Sequence, residues 1–165
     1  MSTELTQDAA NREQALHKGR SFIIEAPAGA GKTELLTQRF LALLTTVKQP
    51  EEIVALTFTN KAAAEMRERI ISSLEMAHRG TPPTEPHKQT TYKLSKEALA
   101  RDTDLQWGLL QTPSRLQVTT LDALCARLAR QMPLLSRLGS QPGIAADPAA
   151  PVSYTHLTLP TKRIV

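Results

Sequence analysis

The chain has 165 residues, of which 41% are hydrophobic and 22% charged. This balance predicts one modest globular core and excludes a fibrous or membrane-spanning protein. The single cysteine, Cys125, excludes an internal disulfide, and the four histidines show no metal-ligand spacing. A net charge of +4 is compatible with a nucleic-acid partner but does not establish one.

Residues 1–20 are polar and of mixed charge. They contain no apolar run that could act as a signal peptide or as a membrane span of about 18 residues. The sequence therefore predicts a cytoplasmic protein with no membrane partner.

The first half of the chain predicts two successive βα units. Residues 6–17 are helix-prone, and residues 21–25 form a short apolar run typical of a buried parallel strand. A glycine-rich turn follows, and from Lys32 the apolar residues recur at helical spacing until Pro50. Residues 53–58 predict a second strand and residues 61–77 a long helix. Two βα units in succession indicate a parallel sheet.

The second half predicts a linker, helices and a third strand. Residues 79–89 are rich in proline and polar residues, and residues 94–110 suit one or two amphipathic helices that end by Pro113. Residues 116–119 predict a third strand. Thr120 is a suitable cap for a helix that runs to about Gln131. The residues expected to face inward on this helix are Leu121, Leu124, Cys125 and Leu128.

The last residues, 152–165, differ abruptly in composition from those before Pro151. Residues 152–161 resemble the translation of a transposon-derived sequencing adapter read in frame, which predicts that residues 152–165 are a non-native or disordered tail. The alternative is a natural strand of alternating character. We expect residues 1–151 to be one partial domain, with a helical insertion at about 79–113, in a native chain that continues beyond this point.

The turn at residues 26–33 reads Ala-Pro-Ala-Gly-Ala-Gly-Lys-Thr. It lies between a predicted strand and a predicted helix, which is the context that a phosphate-binding loop requires. Glycines there allow successive backbone N–H groups to converge on an anion. In such loops the lysine, here Lys32, reaches the β- and γ-phosphates, and the hydroxyl, here that of Thr33, binds Mg²⁺. The alternative is a tight turn followed by a solvated lysine. The candidate nucleotide-binding residues are Ala28, Gly29, Ala30, Gly31, Lys32 and Thr33.

Residues 54–70 leave the second strand and enter a helix, reading Val-Ala-Leu-Thr-Phe-Thr-Asn-Lys-Ala-Ala-Ala-Glu-Met-Arg-Glu-Arg-Ile. Phe58 offers a ring on which a base can stack, and Thr59, Asn60 and Lys61 offer donors to phosphate oxygens. The alternative is that Phe58 is a core residue and Lys61 begins a solvated helix face.

These two segments resemble the first motifs of superfamily 1 DNA helicases of the UvrD/Rep type. The resemblance implies a P-loop NTPase, RecA-like α/β fold with a parallel sheet flanked by helices, of which this chain holds a truncated first lobe. It implies ATP and Mg²⁺ as cofactors and single-stranded or partially duplex DNA as a partner. It also implies DNA unwinding in repair or recombination by the full-length protein.

Residues 118–125 resemble the next DNA-contacting motif of that family, in which Thr120 would touch the DNA backbone, although Asp122 replaces the usual histidine. Together the three segments most resemble the helicase-nuclease branch of the family, which is similar to the exonuclease V beta subunit. This resemblance implies a partner subunit. Arg39 matches the family's arginine that stacks on adenine, and the alternative is a solvated arginine on the helix surface. The family has a glutamine that recognises adenine at the position of Arg12, and in this sequence the nearby glutamine is Gln14, two residues later.

ATP hydrolysis also needs a carboxylate pair after an apolar strand and arginine fingers. Glu51 and Glu52 precede their strand, whereas Asp102 and Asp104 lie in a polar helical region. Asp122 follows a polar strand and has no glutamate after it. We therefore expect the chain alone to bind ATP without hydrolysing it, and to expose apolar surface that later elements would cover.

Two other functions fit parts of the pattern. A small phosphate-loop kinase or NTPase complete in this chain suits the length but not residues 57–63. A non-enzymatic DNA-binding module with a vestigial loop would bind DNA independently of ATP and of Lys32. These alternatives and the helicase hypothesis make different predictions for phosphoryl transfer and for the effect of Lys32→Ala.

Overall fold

The computed structural model describes residues 10–27 and 29–131, without the side chains of residues 86 and 87. The chain comprises two compact units, Met1–Leu124 and Cys125–Val165. Of the second unit, only residues 125–131 belong to the described part. The tail expected at residues 152–165 and the helix expected to begin at residue 6 therefore lie wholly or partly outside it.

The described residues form helices and two short strands, with a 3-10 turn before each strand. In chain order they are α1 (residues 10–15), α2 (Lys32–Leu44), the 3-10 turn Pro50–Glu52, β1 (Val54–Thr57), α3 (Asn60–Arg79), α4 (Pro86–Leu105), the 3-10 turn Pro113–Arg115, β2 (Gln117–Thr120) and α5 (Leu121–Gln131).

Strands β1 and β2 pair in parallel, with Ala55 opposite Val118 and Thr57 opposite Thr120. A parallel pair needs a long crossover connection, which α3 and α4 supply. The structure thus confirms a mixed α/β fold with a small parallel sheet, and the strands predicted at residues 53–58 and 116–119. Because the register aligns the strand ends, the residues that follow β1 and β2 leave the sheet at the same edge.

The strand predicted at residues 21–25 is wrong for this structure. These residues have no strand assignment, and Ile23 is fully exposed. An apolar run becomes a strand only when another strand receives its backbone hydrogen bonds. Within the described residues β1 and β2 pair only with each other, so this segment is left without a ladder.

Helices α2, α3 and α4 enclose the core, and the inner side chains of both strand segments join them. Pro86 is compatible with the first turn of α4, so this helix starts eight residues before the predicted start at Leu94. It ends at Leu105, where Gln106 takes a positive φ of 53°. The buried apolar cluster consists of Phe40, Leu41, Leu44, Ile53, Ala63, Met66, Ile70, Leu74, Ala98, Trp107, Leu109, Leu116 and Val118.

The opposite side of β1 is uncovered, because Val54 and Leu56 are 44% and 50% exposed. Helix α5 has the predicted bounds, but the inward face predicted for it is wrong. Leu121, Cys125 and Leu128 are exposed, and Leu124 is half-buried. The helical spacing of apolar residues predicts that a helix forms. It does not predict which other element, if any, covers the apolar face. None of the described helices is both long and apolar enough to cross a membrane.

Candidate nucleotide-binding loop and DNA-contact edge

The loop that leads into α2 turns twice through the left-handed region of backbone space. Gly29 has φ 79° and Gly31 φ 76°, angles that are strained for a residue with a side chain. Gly31 is the N-cap of α2, and a Cβ added to it would lie 3.4 Å from the Arg12 guanidinium. The loop therefore brings backbone N–H groups and the positive end of a 13-residue helix to one place.

Lys32 folds back over this loop. Its Nζ donates to the carbonyl oxygen of Ala26 and, at 2.7 Å, to that of Pro27. An ammonium group satisfied by loop carbonyls can exchange them for anionic oxygens, which bind it more strongly. The lysine thus already points across the loop rather than into solvent.

A cavity of about 300 Å³ adjoins the loop and includes Lys32 in its wall. Arg12 enters it from α1 and donates from Nη2 to the Ala30 carbonyl oxygen at 2.6 Å. Arg12, at the position of the family's adenine-recognising glutamine, therefore binds the loop. Gln14 also lines the cavity. The other lining residues are Asn11, Ala15, Phe22, Ile23, Ile24, Glu25, Ala26, Ala30 and Leu35.

Arg39 holds the segment between α1 and the loop. It donates to the carbonyl oxygens of Ala15, of His17 at 3.3 Å and of Arg20 at 2.7 Å. Its guanidinium carbon lies 5.1 Å from the centre of the Phe22 ring. The Phe22 ring lines the cavity, so the Arg39 cation lies against a ring beside which a purine can also stack.

The residues near the loop fit a divalent ion that arrives with a nucleotide better than one held by protein alone. Thr33 is exposed at the second position of α2, but one hydroxyl is too few ligands for Mg²⁺. In the described part of the chain, no group of three or more His, Cys, Asp or Glu side chains could hold a metal ion. Phosphate oxygens would have to complete the set.

Carboxylates that were candidates for ATP hydrolysis have other partners or lie exposed in this structure. Glu51 is ion-paired with Arg115 at 2.6 Å, and Asp102 accepts the Leu109 N–H at 3.1 Å. The Arg115 hydrogen bond lowers the Glu51 pKa, with burial opposing it. Asp122 lies exposed in the first turn of α5.

The second candidate surface lies where β1 and β2 end. Phe58 is 99% exposed immediately after β1, and Thr59, Asn60 and Lys61 follow it on the surface. Thr120 ends β2 directly opposite Thr57. The register therefore brings the candidate DNA-contact residues from two distant segments to one edge.

Both threonines at this edge are helix caps. The Thr59 Oγ1 accepts the Ala62 N–H at 3.2 Å to start α3, and the Thr120 Oγ1 accepts the Ala123 N–H at 3.2 Å to start α5. Thr120 is 8% exposed, so little of its side chain faces solvent. The helix starts point their positive ends at the same edge as the Phe58 ring.

Three side-chain hydrogen bonds near the site were not predicted from the sequence. Arg67 of α3 donates to the Val118 carbonyl oxygen of β2. Thr91 of α4 donates to Glu34 at the start of α2 and accepts from Gln38. The bonded residues are separated by 51 to 57 positions in the sequence. Local residue spacing does not indicate pairs that lie so far apart.

The match to a known family covers most of the chain, since residues 7–146 match the UvrD/REP helicase N-terminal domain. An ATP-dependent helicase/nuclease subunit from Levilactobacillus brevis is 34% identical over 125 residues, which are 73% of this chain and 8% of that protein. The protein of the same name from Desulforamulus reducens is 34% identical over 114 residues, 67% of this chain and 8% of its own length.

A third relative supports the same assignment. ATP-dependent DNA helicase UvrD1 of Mycobacterium tuberculosis H37Rv is 48% identical over 61 residues, covering 36% of this chain and 8% of that protein. The chain thus matches only about a twelfth of the length of these relatives. By the extent of the domain match, it belongs to the UvrD/REP helicase family, within its N-terminal domain.

Proposed function

We propose that this chain carries the ATP-binding loop and part of the single-stranded DNA-binding surface of an ATP-dependent DNA helicase with a RecA-like P-loop fold. The observation that carries the proposal is Lys32, folded across a loop with two positive-φ glycines at the start of α2. The names of the relatives support it, since two are an ATP-dependent helicase/nuclease subunit in name and the third is the ATP-dependent DNA helicase UvrD1.

The nucleotide would lie along the cavity beside the loop. Backbone N–H groups of residues 29–31, with that of Ala28, which lies outside the described residues, would cradle its phosphates. Lys32 would move from the loop carbonyls to the β- and γ-phosphates. Thr33 would add its hydroxyl to a phosphate-bound Mg²⁺, which when bound would withdraw charge from the phosphates. Arg39 and Phe22 would face the base.

The DNA strand would lie along the edge formed by the ends of β1 and β2. A base would stack on the exposed Phe58 ring, and Thr59, Asn60, Lys61 and Thr120 would meet the phosphates. These contacts read no base identity, which suits a motor that moves along any sequence. Ligands of parallel sheets generally bind beyond the carboxyl ends of strands.

In the full-length protein we propose DNA unwinding in repair or recombination, with a helicase-nuclease partner subunit. Residues 1–151 would be part of the first motor lobe, and α4 the centre of the helical insertion. Because Glu51 and Asp102 have other partners, we expect the chain alone to bind ATP with Mg²⁺ but not to turn it over.

The test is ATP binding by calorimetry, with Lys32→Ala as the variant and Lys93→Ala, an exposed lysine of α4, as the matched control. Loss of a charge-assisted hydrogen bond should weaken ATP binding roughly tenfold to a hundredfold in the first variant. The control should bind as the parent does. Hydrolysis is assayed in parallel, with and without single-stranded DNA.

Each alternative has its own signature in these assays. Equal ATP binding by parent and Lys32→Ala would contradict the loop assignment and favour a DNA-binding module. Phosphoryl transfer to a small acceptor would indicate a kinase. DNA-stimulated turnover that requires Lys32 would overturn the expected inactivity and point to Asp122 as a metal ligand.

A further inference from the structure

Glu34 occupies a position from which it could compete with phosphate. Gly31 is the N-cap of α2, so Glu34 is the third helical residue. A glutamate at that position commonly folds back to accept the backbone N–H of the N-cap residue. In this loop, the Glu34 carboxylate would then accept the Gly31 N–H. A phosphate loop needs that N–H to bind its anion.

The chain shows this fold-back elsewhere. At the 3-10 turn Pro50–Glu52, the N-cap is Gln49, and Glu52 Oε1 accepts the Gln49 N–H at 2.9 Å. Nothing binds phosphate at that turn in the proposed function, so the carboxylate can stay there. Glu52 therefore shows what Glu34 can do when no other donor draws it away.

Glu34 turns toward helix α4 instead. The Thr91 hydroxyl donates to Glu34 Oε1 and accepts from Gln38 Nε2 at 2.9 Å. Thr91 and Gln38 are each 7% exposed, whereas Glu34 is half-buried. A hydroxyl has one proton to donate, so the Gln38 amide, by donating to Thr91, leaves that proton for the carboxylate.

We propose that Thr91 is a positioning residue for nucleotide binding: its hydroxyl holds the Glu34 carboxylate against α4 and away from the Gly31 N–H. The inference rests on the proposed ATP-binding function. It gives α4, which lies in sequence between the helicase-like segments 54–70 and 118–125, a role in the conformation of the phosphate loop. The loop accepts an anion because a neighbouring helix restrains the nearest carboxylate.

The expected effect follows from charge at a helix start. Release of Glu34 would put a carboxylate where the triphosphate binds, and nucleotide binding would then have to displace it. Charges at helix ends change equilibria enough to alter affinity roughly two- to tenfold. The effect should depend on the Glu34 charge and not merely on packing between α2 and α4.

The experiment compares ATP affinity in the full chain for Thr91→Val, Glu34→Gln and the double variant. Thr91→Val should weaken ATP binding roughly two- to tenfold. Glu34→Gln alone should bind ATP at least as well as the parent, and the double variant should recover parental affinity. Thr91→Ser keeps the hydroxyl and should behave as the parent.

Two controls on α4 separate positioning from packing. Thr103→Val removes a hydroxyl that donates to the Leu99 carbonyl oxygen at 2.9 Å, and Ser95→Ala removes a buried hydroxyl without a partner among the described residues. Neither should change ATP affinity. Parental affinity in Thr91→Val, or a double variant as weak as Thr91→Val, would overturn the proposal.

Should Thr91→Val fail to fold, Glu34→Asp and Glu34→Asn provide the same comparison. The shorter side chains cannot reach Thr91, and only aspartate carries a charge. The proposal expects weaker ATP binding with aspartate than with asparagine, and equal affinities would overturn it. If Lys32→Ala leaves ATP binding unchanged in the parent chain, the proposed function itself has failed, which this pair of variants does not test.

Discussion

The two ends of the β1–β2 pair use their side chains differently. At the amino end, Glu51 and Arg115 form a two-point ion pair at 2.6 and 3.1 Å. The Arg115 Nη1 also donates to the Trp107 carbonyl oxygen at 2.9 Å, and the Trp107 indole donates to the Lys48 carbonyl oxygen at 3.0 Å. These bonds connect the segments that precede both strands.

At the carboxyl end the fold leaves side chains to solvent. Phe58 is 99% exposed, and Asn60 and Lys61 are also on the surface. A large apolar ring gains nothing for folding in that position. The two ends of the strand pair therefore differ in what their side chains do. Those at the amino end stabilise the sheet, whereas those at the carboxyl end are accessible to a ligand.

The largest expected effect is at the amino end. Trp107 is 5% exposed, so Trp107→Ala should lower the free energy of unfolding by about 3–5 kcal/mol, because a cavity opens and the bond to Lys48 is lost. Urea unfolding followed by circular dichroism measures it, since Trp107 is the only tryptophan. Leu105→Ala, at a 38% exposed position, is the control. Equal losses in both variants would contradict this role of Trp107.

The next largest effect is at the carboxyl end and appears in binding. Phe58→Ala should weaken single-stranded DNA binding roughly five- to a hundredfold, because stacking contributes about 1–3 kcal/mol per base. Its unfolding free energy should change by less than about 0.5 kcal/mol. Fluorescence anisotropy with a labelled oligonucleotide gives the affinity. Phe58→Tyr keeps the ring and should bind as the parent does. A large loss of stability in Phe58→Ala would mean that the ring serves the fold.

The capping threonine Thr120 tests whether the carboxyl end also contributes to stability. Thr120→Ala removes the acceptor of the Ala123 N–H and should lower the free energy of unfolding by about 1 kcal/mol. Thr120→Ser should restore most of that loss. Thermal unfolding measures both. If Thr120→Ala weakens DNA binding beyond its effect on stability, the hydroxyl also contacts DNA.

Local pattern was sufficient for much of this fold. Apolar composition and helical spacing predicted β1, β2 and α3 to within a few residues, and the glycines of residues 26–33 predicted a turn with positive φ. Helix α2 begins at Lys32 as predicted but ends at Leu44, before the predicted stop at Pro50. These features depend on neighbours within about one helical turn. The placement of Thr120 opposite Thr57 was found only in the structure, since a parallel sheet was predicted without a register.

Features that depend on distant partners could not be predicted in this way. Residues 21–25 have the composition of a strand but lack a pairing partner in the described structure. The contact between Glu34 and Thr91 joins residues 57 positions apart. The roles of the candidate site residues remain predictions, because geometry alone does not show which ligand they bind.

The smallest effect concerns pH at the amino end. The Arg115 hydrogen bond holds the Glu51 pKa below its ordinary value. A lowered pKa in the folded state means that the ion pair stabilises the fold above the ordinary carboxyl pKa and that this stability is lost as pH falls through the folded value. Because the Glu51 side chain is 37% exposed, Glu51→Gln should cost only about 0.2–1 kcal/mol at pH 7.

The same variant should cost nothing once the pH lies below the folded pKa of Glu51, since the parent carboxyl is then neutral as well. Unfolding free energies of the parent, Glu51→Gln, Arg115→Gln and the double variant, measured between pH 3 and 7, isolate the pair from its separate contacts. A coupling energy that persists at the acid end would show that Arg115 is coupled to Glu51 through a hydrogen bond to the neutral carboxyl rather than through the charge on Glu51. The amino end would then be held by hydrogen bonding alone, and high salt would leave its stability unchanged.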